Sequence, residues 1–403
     1  MRAINSSIMA LCLLTTALAS DWPGYRGSGS ATASSTVPLT WSKTENLLWT
    51  APLPGQGPAS PIAIGNTVFV TASSGYKQDR LHTFAFDGVT GKKLWERQLW
   101  ATGRTECHPK SAMAAPTPTA DKERVYALFA TADLVCFDHQ GNMVWYRPLT
   151  QEYPTISNQV GMASSPILAG DTLVIPMQNS GEASFYLGIN KATGKDVWKV
   201  NLNKDSTWST PTVMTKGNRS LVLYQDDQGL HAIDAAYGQS VWNFNTIKMS
   251  GGIVGPSVIQ GDKIVVAGAE FGVIKPGADD TTPQVVWKTT KVRLGYCTPV
   301  MHEDKLFTLT NNGVISCFHA LEGNQLWQQR VKGNFAACPV ILQGKLLVVN
   351  EEGTSYLLEP GDKEGKIIAT NALGAENMLG TPAITPNRLY FRSDSMLYCV
   401  GKK

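Results

Sequence analysis

The side chains with chemical potential in this 403-residue chain lie in short segments between apolar runs, not in one compact motif. Glu106, Asp205 and Glu376 are carboxylates, and His108, beside the rigid Pro109, is either a general base or a solvated loop residue. Lys110, Lys248 and Arg293 are cations, and the planar fork of an arginine suits a carboxylate ligand. Gln56, Gln159, Asn334 and Asn377 add amides. Trp208 and Tyr296 could stack on a planar or sugar ligand, or simply pack where a loop enters a strand. A calcium ion takes about six to eight oxygens, and no spacing gathers the three carboxylates. No metal site and no catalytic residue are therefore assigned. What unites these residues is that each falls just after a tryptophan-bearing strand, or after the equivalent strand with Ala369 for Glu376 and Asn377, and before the next run.

Those tryptophans reveal the elements. Trp49, Trp95, Trp145, Trp198, Trp242, Trp287 and Trp327, followed by Ala369, recur every 40 to 53 residues. A fixed period of this size signals a repeat architecture. The best copy reads Ser165-Pro166-Ile167-Leu168, Asp171 to Ile175, Phe185 to Ile189 and Asp196 to Val200. Each run is short, rich in β-branched and aromatic types and bounded by turn residues, which predicts four antiparallel strands. A small residue followed by proline opens eight first strands, at Pro61, Pro116, Pro166, Pro211, Pro256, Pro299, Pro339 and Pro382. The last unit lacks a fourth strand, and the strand around Trp49 lacks a unit. Their complementarity predicts an all-β, eight-bladed β-propeller of four-stranded antiparallel blades, the last closed by the N-terminal strand. An open solenoid, or a seven-bladed ring with one irregular segment, is the alternative. In a propeller the segments that join the last strand of one blade to the first strand of the next converge on one mouth of the central channel, a concave place for a ligand.

The turn before each tryptophan is the most specific pattern. It reads Asp87-Gly88-Val89-Thr90-Gly91-Lys92-Lys93-Leu94-Trp95 and Asn190-Lys191-Ala192-Thr193-Gly194-Lys195-Asp196-Val197-Trp198, with Gly141, Gly238 and Gly323 at the same offset elsewhere. Asp or Asn can bond the turn amides and Gly accepts positive φ. The tryptophans are expected to dock neighbouring blades. This pattern resembles the tryptophan-docking motif of pyrroloquinoline-quinone-like (PQQ-like) propeller repeats and covers about residues 45–403. The resemblance implies one of two things: a quinoprotein dehydrogenase holding PQQ and calcium over the funnel, or a cofactor-free protein like the BamB-type component of outer-membrane assembly. The adjacent Cys-Cys pair of the family's alcohol dehydrogenases is missing, as is a Cys-x-x-Cys-His haem site.

Residues 1–19 read as a signal peptide, with Arg2, an apolar centre from Ile8 to Leu14 and Ala17-Leu18-Ala19 as cleavage site. Cys12 lies inside the apolar run after Leu11 and is not expected to be a lipoprotein cysteine. Residues 20–44 form a strap and linker, and 45–403 the propeller. The strap opens Asp21-Trp22-Pro23-Gly24-Tyr25-Arg26-Gly27, which resembles the start of many secreted bacterial PQQ-like proteins. It is expected to pack Trp22 and Tyr25 on the propeller flank, with residues 28–36 as a flexible linker. Cys136, Cys317 and Cys399 fall at one place in the third strand, where other blades have Ala85 and Ala232; Cys297 and Cys338 are the one pair that could be bridged. Net charge is +3 without a basic stripe, which argues against nucleic acid. No run is long enough to span a membrane. The expectation is a monomeric, periplasmic or secreted, non-catalytic scaffold for a protein or polysaccharide partner, with no cofactor. A small PQQ- and calcium-dependent dehydrogenase is the alternative.

Overall fold

The structure is a computed structural model that describes residues 21–27, 29–156, 161–177, 184–202, 208–249, 255–278, 281–292 and 294–403. The signal segment, Gln159, Asp205 and Arg293 lie outside these described residues.

Eight antiparallel four-stranded units follow one another around a ring. Blade 1 is Ile62–Ile64, Thr67–Ser74, Arg80–Asp87 and Lys93–Trp100, innermost to outermost. Blade 8 is Ala383–Ile384, Arg388–Arg392 and Met396–Gly401, completed by Leu47–Pro52 from the N-terminal side. That strand pairs antiparallel to Met396–Gly401, with Trp49 opposite Cys399. The expected eight blades and their closure are thus observed.

One cross-strand row repeats in every blade. Trp95 faces Ala85, Phe69 and Ile62; Trp145 faces Cys136, Tyr126 and Thr119; Trp327 faces Cys317, Phe307 and Val300. The cysteines sit where the row needs a small side chain beneath an indole, as Gly188 does beneath Trp198. At the residue before each tryptophan, and before Ala369, the register slips by one, a bulge present in all eight blades. A bulge bends and twists an outer strand, which re-aims a side chain and spoils the edge for pairing with another chain.

The re-aimed indoles reach the next blade. Trp49, Trp95, Trp145, Trp198, Trp287 and Trp327 donate Nε1–H to the carbonyls of Gly88, His139, Lys191, Ala235, Ala320 and Gly361, at 2.8–3.2 Å. Ala369 breaks the series because blade 8 has no covalent turn between its third and fourth strands. There the strap's Trp41 is buried against Phe391 of blade 8, its backbone N–H on the Asn371 side chain of blade 7.

The residue before the opening proline joins the inner strands. Ser60, Thr117 and Ser165 each donate a backbone N–H to the side-chain oxygen of the next blade's counterpart, Thr117, Ser165 and Thr210, at 3.0 Å. Thr298 and Cys338 do the same to Cys338 Sγ and Thr381 Oγ1. This register corrects two assignments. Blade 2 opens on Pro118, not Pro116, because Thr117 is the joining residue. In blade 5, Ser257 precedes Val258 and Pro256 stands one residue early.

Candidate functional site

The strap does not lie on the flank; it crosses the channel beneath the ring. Asp21 Oδ1 accepts the Gly65 N–H at 2.8 Å, and Trp22 bridges Ala63, both in blade 1. The Pro23 carbonyl accepts Ala120 N–H and Thr119 Oγ1–H of blade 2. Arg26 Nη2 donates to the Pro299 carbonyl of blade 6 at 2.5 Å, and the Tyr25 hydroxyl lies 3.1 Å from Cys338 Sγ of blade 7. Gly27, at φ +69°, leaves room for the Trp22 ring, whose nearest atom would stand 2.9 Å from an added Cβ. Asp21, Trp22, Pro23, Tyr25, Arg26 and Gly27 of the opening motif therefore form a plug. Nor are residues 29–36 a free linker: Thr32–Ala33 pair parallel with Ile341 and Leu342 of blade 7.

Above the plug lies a cavity of about 410 Å³, with Tyr25 in its floor. Its lower wall is the ring of joining residues, including Ser60, Thr117, Ser165, Thr210 and Thr381. His108, Lys110, Trp208 and Tyr296 also line it. A smaller polar recess of about 120 Å³ adjoins it, lined by Gln56, Lys110, Glu351, Asn377 and Asp394. The long connection from blade 1 to blade 2 arches across the mouth, so that Lys110 Nζ meets Glu351 of blade 7 at 3.1 Å.

Other expected site residues stand apart. Glu106 is exposed and paired with Arg104 at 2.5 Å, and Glu376, Lys248 and Asn334 are exposed and line neither cavity. Tyr25, Glu351, Asp394 and the joining hydroxyls were missed. The residue before each opening proline was a legible signal for the hydroxyls. Tyr25 could not be placed, because its partners lie 273 and 313 residues away.

Burial controls the electrostatics of the floor. It pushes the Tyr25 phenol well above its ordinary value, with Cys338 adding to the effect and Arg26 opposing it. Burial also lowers the Arg26 guanidinium below its ordinary value, against the pull of Cys338 and Tyr25. The floor thus presents a neutral phenol over a buried cation. Cys297 and Cys338 are free thiols, Cys338 Sγ accepting Thr298 N–H and Cys297 Sγ directed at the Ala337 carbonyl.

A quinone with calcium over the funnel would need a cluster of oxygen ligands and cations in this cavity. Among the described residues no three His, Cys, Asp or Glu side chains gather to hold a metal ion. The lining offers Lys110, already paired with Glu351, as a cation for a tricarboxylate. The described donor set does not fit a calcium–quinone pair.

The family model described as outer membrane protein assembly factor BamB matches residues 30–186, 186–291 and 272–366. The chain belongs to this family. It is 21% identical to the outer membrane protein assembly factor BamB of Yersinia pestis over 328 residues, 77% of each chain. Its fold is similar to that of BamB from Moraxella catarrhalis, with a TM-score of 0.65, 14% identity and coverage of 88% of this chain and 99% of that one. It is also similar to the quinohemoprotein alcohol dehydrogenase of Comamonas testosteroni, with a TM-score of 0.72, 11% identity and coverage of 95% and 81%. At such identities the solved structures speak for the fold alone. None of the described helices is long and apolar enough to cross a membrane.

Proposed function

We propose that this protein is an exported, monomeric scaffold of the cell envelope whose funnel mouth holds a segment of a protein partner in outer-membrane assembly. The observation that carries the reading is the blind funnel: a cavity of about 410 Å³ with a hydroxyl ring low in its wall and Trp208, Tyr296 and Leu379 among its apolar lining, closed beneath by the strap. Family membership over residues 30–366 supports the same reading. A pocket of this size admits one or two side chains of a partner, with Trp208 and Tyr296 as stacking surfaces and the Lys110–Glu351 pair at the mouth. An exposed pair of that kind adds little affinity and more orientation.

The test uses the mature protein from Ser20 onward and envelope extract. Trp208→Ala combined with Tyr296→Ala is expected to lower retention of the outer-membrane assembly proteins at least tenfold. Tyr237→Ala, on the opposite face and 71% exposed, is expected to leave it unchanged. Equal retention by all three proteins would exclude the funnel. The dehydrogenase reading predicts instead saturable, calcium-dependent quenching of tryptophan fluorescence by PQQ at micromolar concentration.

A further inference from the structure

Blade 1 has longer strands than its neighbours and carries, outside the funnel, a set of polar side chains that partner binding does not use. Ser74 ends the second strand, His82 lies in the third and Glu96 in the fourth. The register sets Ser74 opposite Arg80, Ala72 opposite His82 and Phe84 opposite Glu96, so Ser74, His82 and Glu96 share one face of the sheet. Ser74 Oγ stands 2.7 Å from His82 Nε2, and His82 Nδ1 stands 3.0 Å from Glu96 Oε1. Glu96 is itself fixed by Lys93 Nζ at 2.6 Å and Gln98 Nε2 at 3.0 Å. The imidazole is buried and stacks on Phe84 at 5.7 Å with 6° between the planes. With Nδ1–H donated to the carboxylate, Nε2 is left to accept the serine proton.

We infer that Ser74, His82 and Glu96 form a hydrolytic triad that cleaves carboxylic esters. The nucleophile is half-buried and opens onto an irregular loop in which Gly75, Lys77 and Gln78 all have positive φ. Among the described residues the amides of Gly75, Tyr76 and Lys77 donate to no backbone carbonyl outside the regular elements. Free amides beside a nucleophile are the donors that an oxyanion requires. On the same face Arg80 lies 3.9 Å over the ring of Trp100, which is 61% exposed. Trp100 offers an apolar wall for an acyl or aryl group, and Arg80 a charge for an acid on it.

The steps balance with water alone. Ser74 Oγ bonds to the ester carbonyl carbon while its proton passes to His82 Nε2. The carbon–oxygen bond to the alcohol then breaks, and His82 protonates the departing alkoxide. Water attacks the acyl-serine, giving its proton to His82; the bond to Ser74 breaks, Ser74 recovers the proton and a carboxylic acid leaves. Glu96 positions the imidazole and stabilises its charged form without touching substrate. Although burial works against its ionisation, the hydrogen bonds from Lys93, Gln98 and His82 hold its carboxyl below the ordinary value.

The experiment treats the intact mature protein with a fluorophosphonate probe and locates the adduct by peptide mass spectrometry, with p-nitrophenyl butyrate hydrolysis measured in parallel. The expected result is a single adduct on Ser74, absent in Ser74→Ala. His82→Gln should slow hydrolysis by about 10²–10⁴-fold. Glu96→Gln should lower kcat with KM little changed and shift the pH profile, and Glu96→Asp should recover part of the rate. Absence of an adduct on folded wild-type protein, or hydrolysis unchanged in Ser74→Ala, would overturn the inference. Neither readout depends on the funnel.

Discussion

Gly91 meets two demands at once. Its φ is +73°, and an added Cβ would stand 2.6 Å from the ring of Trp49, the indole of the preceding blade. Gly141, Gly194, Gly238 and Gly323 repeat this arrangement beneath Trp95, Trp145, Trp198 and Trp287. The glycine that precedes a tryptophan by four residues therefore serves the tryptophan of the blade before it. Gly91→Ala is expected to lower unfolding stability by about 2–4 kcal/mol, combining the left-handed penalty with overpacking; a denaturant midpoint equal to wild type would refute this. His231 offers a pH-dependent check. Burial lowers its pKa, but Asp226 Oδ1 at 2.8 Å and Asn243 Oδ1 at 2.7 Å raise it overall. A pKa higher in the fold than in the unfolded chain gives stability that is complete below about pH 6.5. That stability is lost as pH rises through the folded value. The denaturant midpoints of wild type and His231→Gln should therefore differ most near pH 5 and converge in alkali.

The blades were legible because their elements carry local signals. Turn residues, alternating strands and a tryptophan at fixed offset all lie within about ten residues of one another. The row linking Trp95 to Ala85 shows why cysteine and alanine exchange at one position of the third strand. Gly365, four residues before Ala369, lies under Trp327 of the preceding blade, where an added Cβ would stand 2.7 Å from the ring; it shares this place with the glycine series but not its positive φ, and its own strand carries alanine instead of tryptophan. The opening proline was a weaker guide, since blade 2 offers Pro116 and Pro118 and only hydrogen bonding from Ser60 to Thr117 selects between them. The Ser74–His82–Glu96 set was invisible, because spacings of 8 and 14 residues acquire meaning only once the strand register is known. At this scale, Trp198→Ala should cost about 3–5 kcal/mol. It removes a buried plate and leaves the Ala235 carbonyl, 2.9 Å from Nε1, without its donor. Calorimetry showing no loss would mean that the seams between blades contribute little.

At the scale of the whole molecule, the N-terminal segment closes the ring twice. Leu47–Pro52 completes blade 8, and the strap from Asp21 to Ala33 stops the channel. Neither the plug nor the arch of Lys110 over the mouth was readable in advance, because both depend on contacts hundreds of residues apart. Removing residues up to 33 should keep the eight blades and open the cavity floor. Removing residues up to 52 should leave Met396–Gly401 with an unpaired edge and drive association, seen as a concentration-dependent rise in mass by light scattering. The proposed function makes the funnel the place where a partner is read. The most direct measurement is crosslinking in intact cells with a photoreactive residue in place of Tyr296 at the mouth, compared with one in place of Tyr237 on the opposite face. The account predicts one defined adduct with an outer-membrane assembly protein at position 296 and none at 237; adducts at both positions, or at 237 alone, would contradict it.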